Sequence, residues 1–160
     1  MSDLISDGKT RVAWAPSIAN LNAPTVAECN AAADYTKRIT PDGLKIDPST
    51  ADVDTGSLAS KTDTKTVGRV GYETELTFKR GSTPLEDAPY TTLKYGVTGV
   101  LLVRRGIDYE TAWAAGQPVE AYPVICGERQ NVSPAANEVM KFISPIKVTD
   151  AAATDATVAA

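Results

Sequence analysis

The stretch GRVGYETELTFKR, residues 68–80, alternates between apolar and polar side chains. A period of two is typical of a β-strand that packs one face on a core, because successive side chains point to opposite sides. The fold must therefore leave the second face of this strand polar. The apolar face carries Val70, Tyr72, Leu76 and Phe78 with Thr74 between them, and the polar face carries Glu73, Glu75, Thr77 and Lys79.

Four further segments have the composition of strands. Residues 10–14 alternate, and residues 99–105 (GVLLVRR) are apolar on both faces, as expected of a central strand. Residues 119–126 (VEAYPVIC) contain Pro123, which cannot donate a ladder hydrogen bond and indicates an edge or a bulge. Residues 141–148 place Phe142, Ile146 and Val148 on one face.

Helical signals are few and short. Thr25 and Glu28 have the spacing of a capping box, which predicts a short helix ending by Asp34. Residues 86–94 (EDAPYTTLK) predict a second short helix with Pro89 in its early part. The predicted fold is therefore mainly β, an antiparallel β-sandwich or barrel with one or two short α-helices, in a single domain spanning residues 1–148.

Two segments offer little to bury. Residues 44–66 are rich in Asp, Thr, Ser and Lys, which predicts a long loop that orders on a partner. Residues 149–160 are small and weakly patterned, which predicts a mobile C-terminal tail.

Composition excludes several kinds of chemistry. The net charge of −4 and the pI near 4.8 argue against a sequence-independent grip on nucleic acid. The chain has no histidine, and Cys29 and Cys126 lie far apart, so we predict no metal site, no cofactor and no histidine-based catalysis. No signal segment and no apolar run of about 20 residues is present, so we expect synthesis in a cytoplasm and no membrane insertion.

One pair of residues allows an enzymatic alternative. Glu73 and Glu75 lie two apart on one strand face, which separates their backbones by about 7 Å and can bring two carboxyl groups to a glycosidase-like distance. An ordinary solvated face has the same pattern. The enzymatic reading requires that activity vanish when either residue is changed to glutamine.

The order of the segments is more specific than any single one. The series PTVAECNAAADYTKRIT, the Asp- and Thr-rich residues 44–66, VGRVGYETELTFKR, APYTTLKYG, GVLLVRRG, GQPVEAYPVICGERQNVSPAANEV and KFISPIKV resembles the major tail (tail tube) proteins of siphophages, nearest to those of actinobacterial phages. The resemblance runs from about residue 10 to residue 148.

The resemblance implies a structural protein of the virion tail, assembled in the host cytoplasm, whose hexameric rings stack on a tape-measure protein and meet tail-tip and terminator proteins. Double-stranded DNA passes through the lumen of such a tube without specific binding. It also implies that the polar face with Glu73, Glu75, Thr77 and Lys79 lines the lumen as an acidic surface that repels phosphate. Residues 44–66 become an inter-subunit or inter-ring loop with Asp47, Asp52, Asp54, Lys61, Asp63 and Lys65 as candidate contacts.

A second class of function remains open on the residues alone. A monomeric or dimeric β-sandwich module for binding or virion decoration has the same strand pattern. Such a module is expected to show a cluster of exposed aromatic residues or long loops at one end, whereas only 6% of this chain is aromatic.

Overall fold

The computed structural model describes residues 2–160, which form nine strands and two short helices. The helices are α1 (Val26–Ala31) and α2 (Ala88–Thr92), and a 3-10 turn spans Thr36–Arg38. The strands are β1 (Thr10–Ala15), β2 (Ala33–Asp34), β3 (Ile39–Asp54), β4 (Lys65–Lys79), β5 (Thr98–Arg105), β6 (Pro118–Cys126), β7 (Gln130–Asn131), β8 (Lys141–Val148) and β9 (Ala153–Thr157).

The strands pair antiparallel in one sheet. Its order is β2-β1-β5-β6-β8-β4-β3, with β7 beside β8 and β9 beside β6. The prediction of a mainly β, antiparallel fold with two short helices is confirmed. β5 lies between β1 and β6 and is buried on both faces from Gly99 to Arg104, as its apolar sequence indicated.

The sheet curls so that its two halves enclose one core. Trp14 of β1 and Leu101 of β5 share this core with Phe78 of β4 and Phe142 of β8. Phe78 stacks on Phe142 with ring centroids 5.2 Å apart and meets the edge of Tyr35 at 5.9 Å. Contact between strands so distant in the sheet order shows that the sheet closes on itself in the manner of a sandwich or barrel.

A second core lies on the outer side of β1, β5 and β6. Leu102 of β5 and Ala121 of β6 are fully buried there, beneath Cys29 of α1 and Trp113 of the loop that follows β5. α1 begins at the predicted capping box: the Glu28 amide donates to Thr25 Oγ1 (3.1 Å), and the Thr25 amide donates to Glu28 Oε1 (3.1 Å). The cap orients a helix of only six residues over this side of the sheet.

The structure corrects the prediction of a long loop at 44–66. β3 continues to Asp54 and β4 begins at Lys65, so only residues 55–64 connect the two strands. The error has a physical cause. Backbone pairing between two strands does not require apolar side chains, whereas the prediction rested on the absence of residues to bury.

The C-terminal segment also differs from the expected mobile tail. β9 pairs with β6, and Ala156 and Val158 are each 2% exposed in the second core. The Ala159 amide donates to the Pro24 carbonyl (2.7 Å), and the Val26 amide donates to the Ala159 carbonyl (2.9 Å). Small side chains can pack closely against a strand, so their size was a poor indicator of mobility.

Pro123 lies inside β6, and the strand's partner changes at that point. Residues 118–121 pair with β9, and residues 124–126 pair with β8. The Pro123 carbonyl accepts from the Thr149 amide (2.8 Å) where these partners meet. Where β6 changes its partner from β9 to β8, no backbone N–H of β6 is needed for a hydrogen bond between strands. Proline, which lacks that N–H, is therefore tolerated there.

Candidate functional site

The polar face of β4 lies outside the core, as strand parity predicted. Leu76 and Phe78 are fully buried, whereas Glu73 and Glu75 on the opposite face are exposed. Thr77 and Lys79 on that face are half-buried. We call this surface, formed by the outward side chains of β3, β4 and β8, the open face: Lys45, Asp47, Glu73, Glu75, Thr77, Lys79, Lys141, Ile143, Pro145 and Lys147.

The open face carries both signs of charge. Asp47 stands directly opposite Glu73 in the β3–β4 register, and Lys45 Nζ lies 3.4 Å from Glu73 Oε2 and 3.9 Å from Asp47 Oδ2. At the other end of the face, Lys79 is paired in register with Lys141. Three carboxylates and four lysines make this surface mixed in charge, unlike the acidic surface expected from Glu73 and Glu75 alone.

Sequence reasoning placed Lys79 on this face but missed Lys45, Lys141 and Lys147. The signal was present: Leu44-Lys45-Ile46-Asp47 alternates with the same period as β4, and Leu44 and Ile46 pack on the main core. Asp47, predicted as a loop residue, therefore lies on the open face beside Glu73.

The opposite outer side of the sheet is covered by the chain itself. Arg104 of β5 is fully buried there and holds the loop at residues 106–117, donating from Nη2 to the Asp108 carbonyl (3.0 Å) and from Nη1 to Gln117 Oε1 (3.2 Å). Its guanidinium carbon lies 4.9 Å from the centre of the Trp113 ring. Burial, and then the neighbouring Arg11 guanidinium, lower the pKa of Arg104. We call this side, beneath α1, the 106–117 loop and β9, the covered face.

β3 and β4 extend beyond the rest of the sheet. β4 pairs with β8 only from Thr74 to Lys79, whereas its pairing with β3 continues to Lys65 opposite Asp54. We call the two-stranded projection at residues 48–72, with its connecting loop, the arm. A two-stranded ribbon alone is marginally stable in water, so the arm is the part of the fold that gains most from a neighbour.

The residues predicted to lie in a loop fall in two places: the strands of the arm, and the connecting loop at residues 55–64, which we call the tip. Asp52, Asp54 and Lys65 lie on the strands of the arm, where Lys65 Nζ is 3.4 Å from Asp52 Oδ2. Lys61 and Asp63 lie in the connecting loop. A bulge interrupts the register where Gly68 and the next residue oppose Ala51.

The arm exposes apolar side chains. Val67 and Val70, opposite Asp52 and Thr50, lie on the side that continues the core-facing surface of the hairpin, with 79% and 53% of their surface accessible. The amphipathic pattern of β4 thus runs past the end of the core. Exposed apolar surface of this kind is typical of a contact region.

The family model described as Phage tail tube protein matches residues 1–160. The chain belongs to the phage tail tube protein family. No curated protein sequence matches it. The family assignment makes this tail tube protein a structural component of the virion tail that assembles into a multimeric tube, and it confirms the resemblance to tail tube proteins.

No helix in residues 2–160 is both long enough and apolar enough to span a bilayer. No group of three or more His, Cys, Asp or Glu side chains in that range is placed to bind a metal ion.

Proposed function

We propose that this protein forms hexameric rings that stack into the tail tube of a siphophage and that the lumen conducts the genome into the host. The observation that carries the proposal is the asymmetry of the sheet. One outer side is covered by α1, the 106–117 loop and β9, and the other is open and polar. A tube wall one subunit thick needs two such different sides.

In this arrangement the open face lines the lumen and the covered face points outward. DNA must slide past the lining without binding, and lysines that already contact a carboxylate hold phosphate less strongly. Lys45 contacts Glu73 and Asp47, and Lys141 Nζ lies 3.4 Å from Glu138 Oε2. Neighbouring carboxylates therefore weaken phosphate binding at two of the four lysines of the lining.

Ring closure uses the free edge of β3. Within residues 2–160 no strand pairs with the side of β3 that faces away from β4. A strand of 16 residues with an open edge is an aggregation risk unless another chain pairs with it. Cyclic symmetry removes the risk, because each edge meets the next subunit and no edge remains free.

Stacking uses the arm, which reaches the neighbouring ring and buries Val67 and Val70 there. Tape-measure, tail-tip and terminator proteins set the length and the ends of the tube during assembly in the host cytoplasm. The inter-ring role predicted for 44–66 is thereby assigned to the arm, with Asp52, Asp54, Lys61, Asp63 and Lys65 as its charged contacts.

Electron microscopy with a shortened arm tests this function. Ser49 and Gly71 are paired, so replacing residues 50–70 by Asn-Gly closes the hairpin with a two-residue turn. Wild-type protein, alone or with its tail-tip and tape-measure partners, should form hollow sixfold tubes, and the shortened protein should form single rings at most. Monomers under every condition would refute the tube, and normal tubes from the shortened protein would refute the role of the arm.

Charge reversal tests the lumen assignment. Glu73→Lys with Glu75→Lys adds unpaired cations to the open face and should leave tubes intact while impairing DNA delivery. The matched control reverses two exposed carboxylates away from the open face, Glu110→Lys with Asp155→Lys. Equal infectivity of both variants would place the open face outside the lumen.

A further inference from the structure

The tip of the arm presents one leucine to solvent. Leu58 has a relative exposure of 108%, the highest among the exposed large apolar side chains. The loop around it is hydrogen-bonded: the Gly56 amide donates to Asp54 Oδ1 (2.8 Å), and the Ser57 amide donates to Ser60 Oγ (2.8 Å). Leu58 is therefore an exposed apolar side chain on a hydrogen-bonded turn.

A cleft of about 490 Å³ lies at the other end of the same strand. Ile39 and Leu44, near the start of β3, line it, whereas the tip follows Asp54 at the end of β3. Ten residues of strand separate Leu44 from Asp54, roughly 33 Å at 3.3 Å per residue. Leu58 and the cleft thus lie at opposite ends of the long strand β3.

The chemistry of the cleft matches that of the tip. Val12, Ile39 and Leu44 supply apolar wall, which suits a leucine side chain. Asp7 supplies a carboxylate, and Arg105, whose Nε already donates to Glu120 Oε2 (2.7 Å), supplies a guanidinium; the tip carries Lys61 and Asp63, again one charge of each sign. Opposite charges on two surfaces favour one orientation of contact over others.

We propose that Leu58 of one copy inserts into this cleft of the copy in the next ring. The inference rests on the proposed tube and names the surface that receives the arm. A contact between two different ends of identical subunits is heterologous: each copy offers a free tip and a free cleft to the next, so the contact propagates along an axis. Repetition of this one contact stacks rings without a second kind of subunit.

Site-directed cross-linking tests the contact. Leu58→Cys with Ser6→Cys places thiols on the tip and in the cleft, both at exposed positions. The native Cys29 and Cys126 are buried, and burial raises the pKa of each thiol to about 11, so they stay protonated and inert toward maleimides. The control joins Leu58→Cys to Ala115→Cys, an exposed position away from the cleft.

Tubes treated with a short bismaleimide should give a ladder of dimers, trimers and higher species for the Leu58–Ser6 pair and no ladder for the Leu58–Ala115 pair. Tubes that form but give no ladder, or give one only with Ala115, overturn this contact and leave the proposed tube standing. Wild-type protein that forms no tubes with its tail partners overturns both.

A second pair of variants needs no cross-linker. Leu58→Asp should yield rings without long tubes, and Ser6→Trp, which fills the cleft from an exposed position, should give the same defect. Leu85→Asp is the matched control, since Leu85 is 87% exposed and does not line the cleft. Long tubes from Leu58→Asp would contradict the proposal.

Discussion

The two halves of the β3–β4 hairpin share one pairing pattern and differ in what lies beside them. The fold outside the arm is called the body here. In the half of the hairpin that belongs to it, Leu76 and Phe78 are covered by β8 and by the core, and both are fully buried. In the arm, Val67 and Val70 continue the same apolar face but stay 79% and 53% exposed, and Val70 borders a cleft with residues 148–152. The first half is stabilised within one chain, whereas the second depends mainly on backbone pairing, and we propose that another copy covers it in the tube.

The largest expected difference between the halves is in the free energy of unfolding. Phe78→Ala removes a fully buried ring that contacts Phe142 and Tyr35 and should destabilise the protein by about 3–5 kcal/mol. Val70→Ala, the matched change in the arm, should cost no more than about 0.5 kcal/mol. Urea unfolding of dispersed protein measures both, and similar costs would show that the arm belongs to the cooperative body.

An ion pair next to the body end of β4 should have an intermediate, pH-dependent effect. Arg80 Nε and Nη2 donate to the two Asp87 oxygens at 2.8 Å, and this pairing holds the pKa of Asp87 below its ordinary value of 3.8. A lowered pKa in the folded state means that the contribution to stability is present above about pH 4 and is lost as the pH falls through the folded pKa.

Asp87→Asn should therefore destabilise the protein by about 2 kcal/mol near neutral pH and by progressively less below about pH 4. Unfolding measured across this range tests the sign. A deficit that stayed constant down to strong acid would mean that packing, and not the charge on Asp87, makes the contribution.

The smallest effect on the dispersed protein should come from the apolar side of the arm. Val67→Thr with Val70→Thr should change the free energy of unfolding by less than about 0.5 kcal/mol, because both side chains are exposed. The same pair should reduce tube formation, seen by light scattering, because in the proposed tube the valines are buried on stacking. Val53→Thr, on the other side of the arm, is the control. An equal loss from the control would remove the distinction between the two sides.

Much of the body was accessible from local sequence. The alternation of residues 70–79, the apolar run at 99–105 and the capping box at Thr25 and Glu28 each predicted the element that the structure contains. These signals are local because a strand or a cap depends on residues close in the chain. The surface roles assigned to Glu73, Glu75, Thr77 and Lys79 stay predictions, since they depend on other copies.

The other parts of the fold could not be predicted from local sequence, because they depend on pairing with segments that are distant in the chain. The composition of 44–66 indicated a loop because its residues have little to bury, yet the backbone of β3 pairs with β4 as far as Asp54. The tail at 149–160 indicated mobility, yet β6 offers it an edge to pair with. The cleft joins residues of β1, β3 and the loop after β5, which no local pattern connects.

The sequence by itself determined the alternation of β4, the capping box of α1, the lack of histidine and, through the order of segments, the tail tube family. Tertiary structure alone decided which outer side of the sheet is covered, how lysines neutralise the open face and how far the arm projects. The physical reason is the range of the interactions. Periodicity and capping act over a few residues, whereas coverage, charge balance and projection follow from pairing between strands such as β3, β4 and β8 that lie far apart in the chain.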